Sequence, residues 1–172
     1  MKRSAIVPMP EFFDRYINLV EDVPVVEALT ASAQVFPVAD MPKIYALGDK
    51  VYAPGKWTIK DVVQHIIDNE RIQAYRALRF ARNDASLLPG YDEEPYAKEA
   101  RAERRSLEEL LEEFEVTRRS NILLFSSFTE EMLLRKGICF GKEMSVLALG
   151  FVLAGHQEHH VRIVRERYFP LV

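Results

Sequence analysis

Cysteine, glycine and histidine are all scarce in this chain of 172 residues, which has one, seven and four of them. The single cysteine, Cys139, can form neither an intramolecular disulfide nor a cysteine metal cage, and a reducing cytoplasm suits it. A strong charge of either sign is missing too. The formal net charge of −3 gives no electrostatic reason to expect nucleic acid or an anionic membrane as a partner, so small molecules are the expected partners. Pro8, Pro10 and Glu11 interrupt the basic start before the apolar stretch of a secretory signal could form. The longest apolar run, Met144 to Gly155, falls short of the roughly 20 residues that a membrane-spanning helix needs. These absences predict a cytoplasmic globular protein. The length fits one domain, residues 1–172, with a sizeable core.

What is present is helical, with no internal repeat, low-complexity tract or strand-like alternation. Three long segments combine an N-cap with an apolar stripe at helical spacing. The first begins at Thr58, with Asp61 as a capping-box partner. It carries Ile59, Val63, Ile66, Ala74 and Ala77 on one face and should end near Asn83. The second begins at Ser106, where Glu109 completes a capping box. Leu107, Leu111, Phe114, Asn121 and Phe125 share its stripe, with Arg118 among them. The third begins near Ser145 and places Val146, Leu149, Leu153, His156, His160 and Ile163 at steps of three and four, reaching nearly to Tyr168. Towards the N-terminus, Pro10 suits the first turn of a helix and Pro24 can start another through Phe36, with Pro37 and Pro42 breaking or kinking it. This arm makes a fourth member, and the fold class is all-α, a four-helix bundle.

Residues 84–105 form a connection much longer than the 2–8 residues usual between bundle helices. A solvated crossover is one reading. The other is a flap with Tyr91 and Tyr96 facing a pocket, because Leu87, Leu88 and both tyrosines carry apolar surface that a solvated linker does not need.

Three of the four histidines fall within "GHQEHH". Residues four apart on a helix share a face, so His156 and His160 can converge on one ion, while His159 lies about 60° away on the flank. His65, among the apolar residues of the first long helix, is the only other imidazole available. Three neutral imidazoles from two helices would leave a tetrahedral metal one open position. The alternative is a set of core histidines bonded to carboxylates such as Asp68 or Glu158, and pattern alone leaves both open. Neither histidine-bearing helix has the Glu-x-x-His pair of a di-iron site. Cys139 sits in a short linker with no evident orienting partner, and no phosphate-cradling glycine loop or nucleophile elbow is visible. Arg76, Arg79 and Arg82 are spaced three apart, as a solvated or salt-bridged face or as an anion-binding edge.

The segments "YAPGKWTIKDVVQHIIDNERIQAYRALRFAR", "LPGYDEEPY" and "GHQEHHVRIVRERY", in this order and spacing, resemble the DinB-like (YfiT-like) superfamily over roughly residues 50–168. The resemblance implies a four-helix bundle of up-down-down-up topology, which agrees with a long crossover. It implies a divalent metal on His65, His156 and His160, with His159 outside the ligand set, and three imidazoles accept zinc, nickel and iron alike. It also implies a thiol S-transferase that uses a low-molecular-weight thiol such as bacillithiol, mycothiol or glutathione as co-substrate. Arg118 and Asn121, polar on an apolar stripe, are then candidates to orient substrate, or else a buried network that fixes helix packing. Two alternatives stand beside this reading. One is a metal-dependent hydrolase that uses metal-bound hydroxide, with Asp68 or Glu158 as general base. The other is a non-catalytic stress-response or metal-binding module that dimerises, and a homodimer is compatible with all three.

Overall fold

The computed structural model describes residues 1–172. Short helices α1 (Asp14–Ile17), α2 (Val25–Ala31) and α3 (Met41–Leu47) form the N-terminal arm. Then come α4 (Ile59–Ala81), α5 (Glu93–Ala100), α6 (Leu107–Ser126) and α7 (Glu130–Leu134). A hairpin of β1 (Lys136–Cys139) and β2 (Lys142–Ser145) leads into α8 (Val146–Ile163). The arm differs from expectation. The second helix ends at Ala31 rather than Phe36, and Pro42 lies in the first turn of α3, where its missing N–H has no helical partner to lose.

The long helices start where their caps dictate. Thr58 and Asp61 exchange hydrogen bonds at 3.2 and 2.9 Å, and Ser106 and Glu109 do so at 3.1 and 2.8 Å. Ser145 Oγ accepts from the Ala148 N–H at 3.0 Å. Each cap stabilises its helix by about 1 kcal/mol. The buried stripe of α6 runs through Leu110, Phe114, Arg118, Asn121 and Phe125, while Leu107 and Leu111 are only partly buried at its edge.

Side-chain pairs fix the topology. Arg105 meets Gln64 and Arg71 meets Glu113, so α4 and α6 run parallel. His65 meets His156 while Tyr168 reaches back to Trp57, so α8 is antiparallel to α4. A Cβ on Gly150 would strike Val25, whereas Gln157 donates to the carbonyls of Gln34 and Val35, so α2 runs with α8. The order is up-down-down-up. Parallel α4 and α6 require the chain to return about 35 Å, the length of 23 helical residues, and residues 84–105 make that return.

That connection is ordered by its own elements. Leu88 is buried and pairs with the hairpin, donating to the Ile138 carbonyl at 3.0 Å and accepting from the Phe140 N–H at 3.2 Å. Pro95 falls in the first turn of α5, where proline is tolerated. Leu87, in contrast, is 73% exposed. The hairpin corrects the expectation of a strandless linker. Its turn residues Phe140 and Gly141 both have positive φ, 54° and 68°, as a two-residue primed turn requires. Phe-Gly is not one of the dipeptides that announce such a turn, and four-residue strands show too little alternation.

The core is divided by a polar waist. On α4, Ile59 to Ile67 join one apolar cluster, and Ala77, Phe80 and Ala81 join the other. On α6 the corresponding residues are Leu110 and Phe114 against Phe125, and on α8 they are Val161 against Val146 to Ala154. Between them, all three helices bury polar side chains, including Asn69, Glu70, Arg118, Asn121, His156 and Gln157. Buried polar groups are costly unless partnered, so a belt of them across every long helix marks where the site lies. No helix is long and apolar enough to cross a membrane.

Candidate metal centre

His65 occupies the second turn of α4, and His156 and His160 stand one turn apart on α8. Antiparallel packing brings these two stretches level. Nε2 of His156 lies 3.0 Å from Nε2 of His65 and 3.2 Å from Nε2 of His160, and one ligand atom from each of the three falls within 4.8 Å of the others. Aromatic rings hold the imidazoles in place. Trp57 packs on His65 at 4.8 Å and stacks with His160 at 6.5 Å, while Tyr16 meets His156 edge-on at 5.3 Å. Close approach of the arm makes the Tyr16 contact possible, because a Cβ on Gly155 would overlap the Tyr16 carbonyl.

Burial holds all three imidazoles neutral. It pushes the pKa of His65 down to about 4, and it holds His156 and His160 well below the usual histidine value, with neighbouring histidines adding to the effect. Neutral imidazole is the form that ligates a metal. The geometry also fits a cation. Bonds of 2.0–2.1 Å to a tetrahedral ion place two nitrogens about 3.3 Å apart, close to the two separations seen. Nδ1 of His156 is buried without a partner, so the carboxylate or carbonyl that commonly stands behind a ligating histidine is absent there.

The histidines form one wall of a cavity of about 200 Å³. Asn69, Gln73 and Arg76 of α4 continue that wall as a polar strip. Phe12 from the arm and Phe140 from the hairpin turn, 5.9 Å apart, supply an apolar side. Both hold positive φ, 74° and 54°, a conformation uncommon for bulky side chains and frequent at functional sites. Tyr91 and Glu93 from the crossover close another side. The Tyr91 hydroxyl donates to Asn69 Oδ1 at 3.4 Å, and the Tyr91 and Tyr96 rings pack at 4.8 Å.

The remaining sequence-derived candidates lie elsewhere. Arg118 and Asn121 do not line the cavity. Arg118, fully buried, pairs with Glu70 at 2.6 Å, donates to the Ser32 carbonyl at 2.7 Å and contacts the Ser32 hydroxyl, while Asn121 donates to Glu70 at 2.7 Å. This network ties α4, α6 and the end of α2 together, as the packing reading of these residues expects. Asp68 accepts from Gln64 at 3.0 Å and faces a groove between α4 and α5, with Tyr96 on the same groove. Glu158 pairs with Arg162 at 2.7 Å. Neither carboxylate borders the histidine cavity, whose lining carboxylate is Glu93. His159 lines the cavity, packing on Tyr16 and His160, and stands outside the group of converging ligand atoms.

Asn69, Gln73 and Glu93 stand in no recognisable motif of the sequence, and spacing alone groups Arg76 with Arg79 and Arg82. A signal existed on α4, since His65, Asn69, Gln73 and Arg76 follow at steps of four, four and three on one face. Arg79 belongs to another set, with Asp84 and Tyr75, and Arg82 is exposed.

Comparison with known proteins places this architecture in a family. A protein of Oceanobacillus iheyensis named "Putative metal-dependent hydrolase OB0413" is 29% identical over 118 residues, which is 67% of this chain and 67% of that protein. The solved structure of YfiT from Bacillus subtilis, described as having an unusual four-helix bundle topology, matches with a TM-score of 0.64 over 99% of this chain and 93% of that one. At 18% identity that likeness is one of fold. The sequence profile of the DinB superfamily matches residues 14–164, from α1 to the end of α8, and this chain belongs to the DinB superfamily.

Proposed function

We propose that this chain is a divalent-metal-dependent enzyme whose ion is held by His65, His156 and His160, and that it transfers a small thiol to an electrophile in the adjoining cavity. One observation carries the reading: the three imidazoles converge at the wall of a cavity, so a fourth coordination position would face space for a substrate. Zinc, nickel and iron all accept imidazole ligands, and such an ion supplies Lewis acidity that favours the anionic, nucleophilic form of a thiol. The protein's part is orientation and exclusion of water. Trp57 and Tyr16 fix the imidazole planes, Phe12 and Phe140 shield the apolar side, and Tyr91 narrows the approach from the crossover. A bound ion would lower the thiol's pKa, so this reading asks no protein base of Asp68 or Glu158, which lie away from the cavity. Low-molecular-weight thiols are kept reduced in the cytoplasm, where this reading puts the protein.

Hydrolysis is the second reading, favoured by Glu93, a carboxylate at the cavity that could take a proton from water. The Oceanobacillus protein carries the hydrolase name, and YfiT is described as a "probable metal-dependent hydrolase". The deciding experiment gives the metal-loaded protein glutathione, bacillithiol or mycothiol with chlorodinitrobenzene, and separately a panel of activated esters and amides. Conjugation that needs both metal and thiol supports transfer. Ester or amide cleavage that is indifferent to thiol and lost in Glu93→Gln supports hydrolysis. Absence of both favours a non-catalytic metal-binding module.

A further inference from the structure

We infer that Asn69, Gln73 and Arg76 form a carboxylate-binding subsite within the histidine cavity, so that the molecule acted on carries a carboxylate set apart from its reacting atom. The inference rests on reading this cavity as the substrate site. Arg76 is only 4% exposed, yet it forms no ion pair. Its Nη1 donates to Gln73 Oε1 at 3.2 Å and its Nη2 donates to the Pro89 carbonyl at 2.6 Å. Both acceptors are neutral. A buried cation without an anion is costly, and the other buried arginine of the waist, Arg118, has Glu70. Glu93 lines the same cavity and does not pair with Arg76.

A directed row of hydrogen bonds gives the second observation. Arginine has donors only, so Arg76 fixes the Gln73 amide with its oxygen towards the guanidinium. The Gln73 Nε2 group must then point the other way, and it donates to Asn69 Oδ1 at 3.1 Å. Asn69 Oδ1 also accepts from the Tyr91 hydroxyl. This leaves Asn69 Nδ2 as the end of the row, 4% exposed at the residue level and with no partner. The row cannot reverse, because its orientation is set by a group that cannot accept. The strip therefore holds an N–H group without a partner and a cation without an anion, on two residues, Asn69 and Arg76, that both line the same cavity.

An acceptor-rich anion supplies what the strip lacks. A carboxylate brings acceptor oxygens to a strip that ends in a donor, and it has the single negative charge that Arg76 lacks a partner for. Asn69 and Arg76 lie about 6 and 16 Å along α4 from His65, at 1.5 Å per residue. Long helical side chains lean towards the N-terminus, as the bond from Arg76 to Gln73 shows, so the guanidinium reaches back towards the histidines. A ligand anchored here spans from the polar strip to the imidazoles with its middle against Phe12 and Phe140.

Titration calorimetry of the full chain, treated with chelator to remove metal, tests this with glutarate, its uncharged diamide and inorganic phosphate as probes. Glutarate should bind the metal-free protein at least tenfold more tightly than the diamide. Arg76→Gln should abolish that preference, Arg76→Lys should keep part of it, and Asn69→Leu should weaken glutarate several-fold. All three variants should retain the metal content of the wild type. Equal binding of glutarate and diamide by the wild type overturns the inference without recourse to any variant. A glutarate preference that persists in Arg76→Gln overturns it as well, and tighter binding of phosphate replaces a carboxylate with a phosphate. Because the metal-free protein is used, failure of the three histidines to hold an ion would leave a positive result standing, so the two readings fail separately.

Discussion

Nε2 of His65 and Nε2 of His156 face each other at 3.0 Å although 91 residues separate them in the chain. With His160 added, three ring nitrogens whose burial disfavours protonation crowd one point. At most two can share a proton at a time, and a lone pair aimed at another lone pair is repulsive. A cation shared among the three removes the conflict.

Replacing His65, His156 or His160 singly with alanine should lower metal affinity by tenfold or more, whereas His159→Ala should keep nearly full occupancy. Elemental analysis of protein purified without a histidine tag checks this. Full occupancy in His156→Ala, or loss confined to His159→Ala, would refute the assignment.

The metal-free protein should lose stability as pH falls from about 6.5 towards 4. His65 titrates near 4 in the fold against 6.5 in the unfolded chain, so between those values the unfolded state binds more protons and unfolding is favoured. Above 6.5 both states are neutral at this residue and its contribution is flat. The carboxylates Glu109 and Glu113 are depressed below their ordinary value of 4.5 by bonds to Ser106 and to Arg105 and Arg71, so their loss comes lower. Urea unfolding at pH 7.5, 5.5 and 4.5 should show the slope, and His156→Phe should reduce it. A flat profile would mean that the imidazoles are not held neutral.

Arg118→Met should destabilise the fold by about 3–5 kcal/mol, because Glu70 is left buried with its charge unpaired. Adding Glu70→Leu should recover part of the loss, and the recovery should be incomplete because Asn121 then loses its acceptor. Chemical denaturation of both variants measures this. An Arg118→Met protein as stable as the wild type would disprove the packing role.

Gly155→Ala separates helix propensity from packing. Propensity alone predicts a gain of about 1 kcal/mol in a helix interior. The new Cβ meets the Tyr16 carbonyl, which belongs to the backbone and cannot rotate aside, so overpacking of about 1–3 kcal/mol should dominate. The melting temperature should fall, and metal affinity should fall with it as Tyr16 is displaced from His156. A higher melting temperature would show that the arm does not pack there.

Tyr91→Ala should leave metal content intact and change how fast a small thiol alters the visible spectrum of cobalt-substituted protein, while Tyr96→Ala should have less effect. Tyr91 borders the histidine cavity, and Tyr96 borders the groove on the far side of the crossover. Identical spectral kinetics in wild type and Tyr91→Ala would return residues 84–105 to the role of a mere connection.

Local chemistry wrote part of this protein directly into its sequence. Thr58, Ser106 and Ser145 start their helices through bonds made within three residues, so the caps are legible without a fold. The four-residue repeat between His156 and His160 fixes their shared face in the same local way, and the length of residues 84–105 announces a crossover. Other features depend on which helices become neighbours. Leu110 rather than Leu107 enters the core because the angle of α6 against α4 is set by packing, to which the apolar pattern alone is tolerant. Phe140 and Gly141 form their turn because Leu88 pairs with the hairpin and Phe12 meets the Phe140 ring, contacts made over about fifty and over more than a hundred residues. Arg118 interrupts an apolar stripe in the sequence and Arg76 belongs to a run of three arginines, yet both end up buried on long helices. Only the tertiary structure gives one of them Glu70 and leaves the other facing a cavity, because a charge's partner is chosen by distance in space.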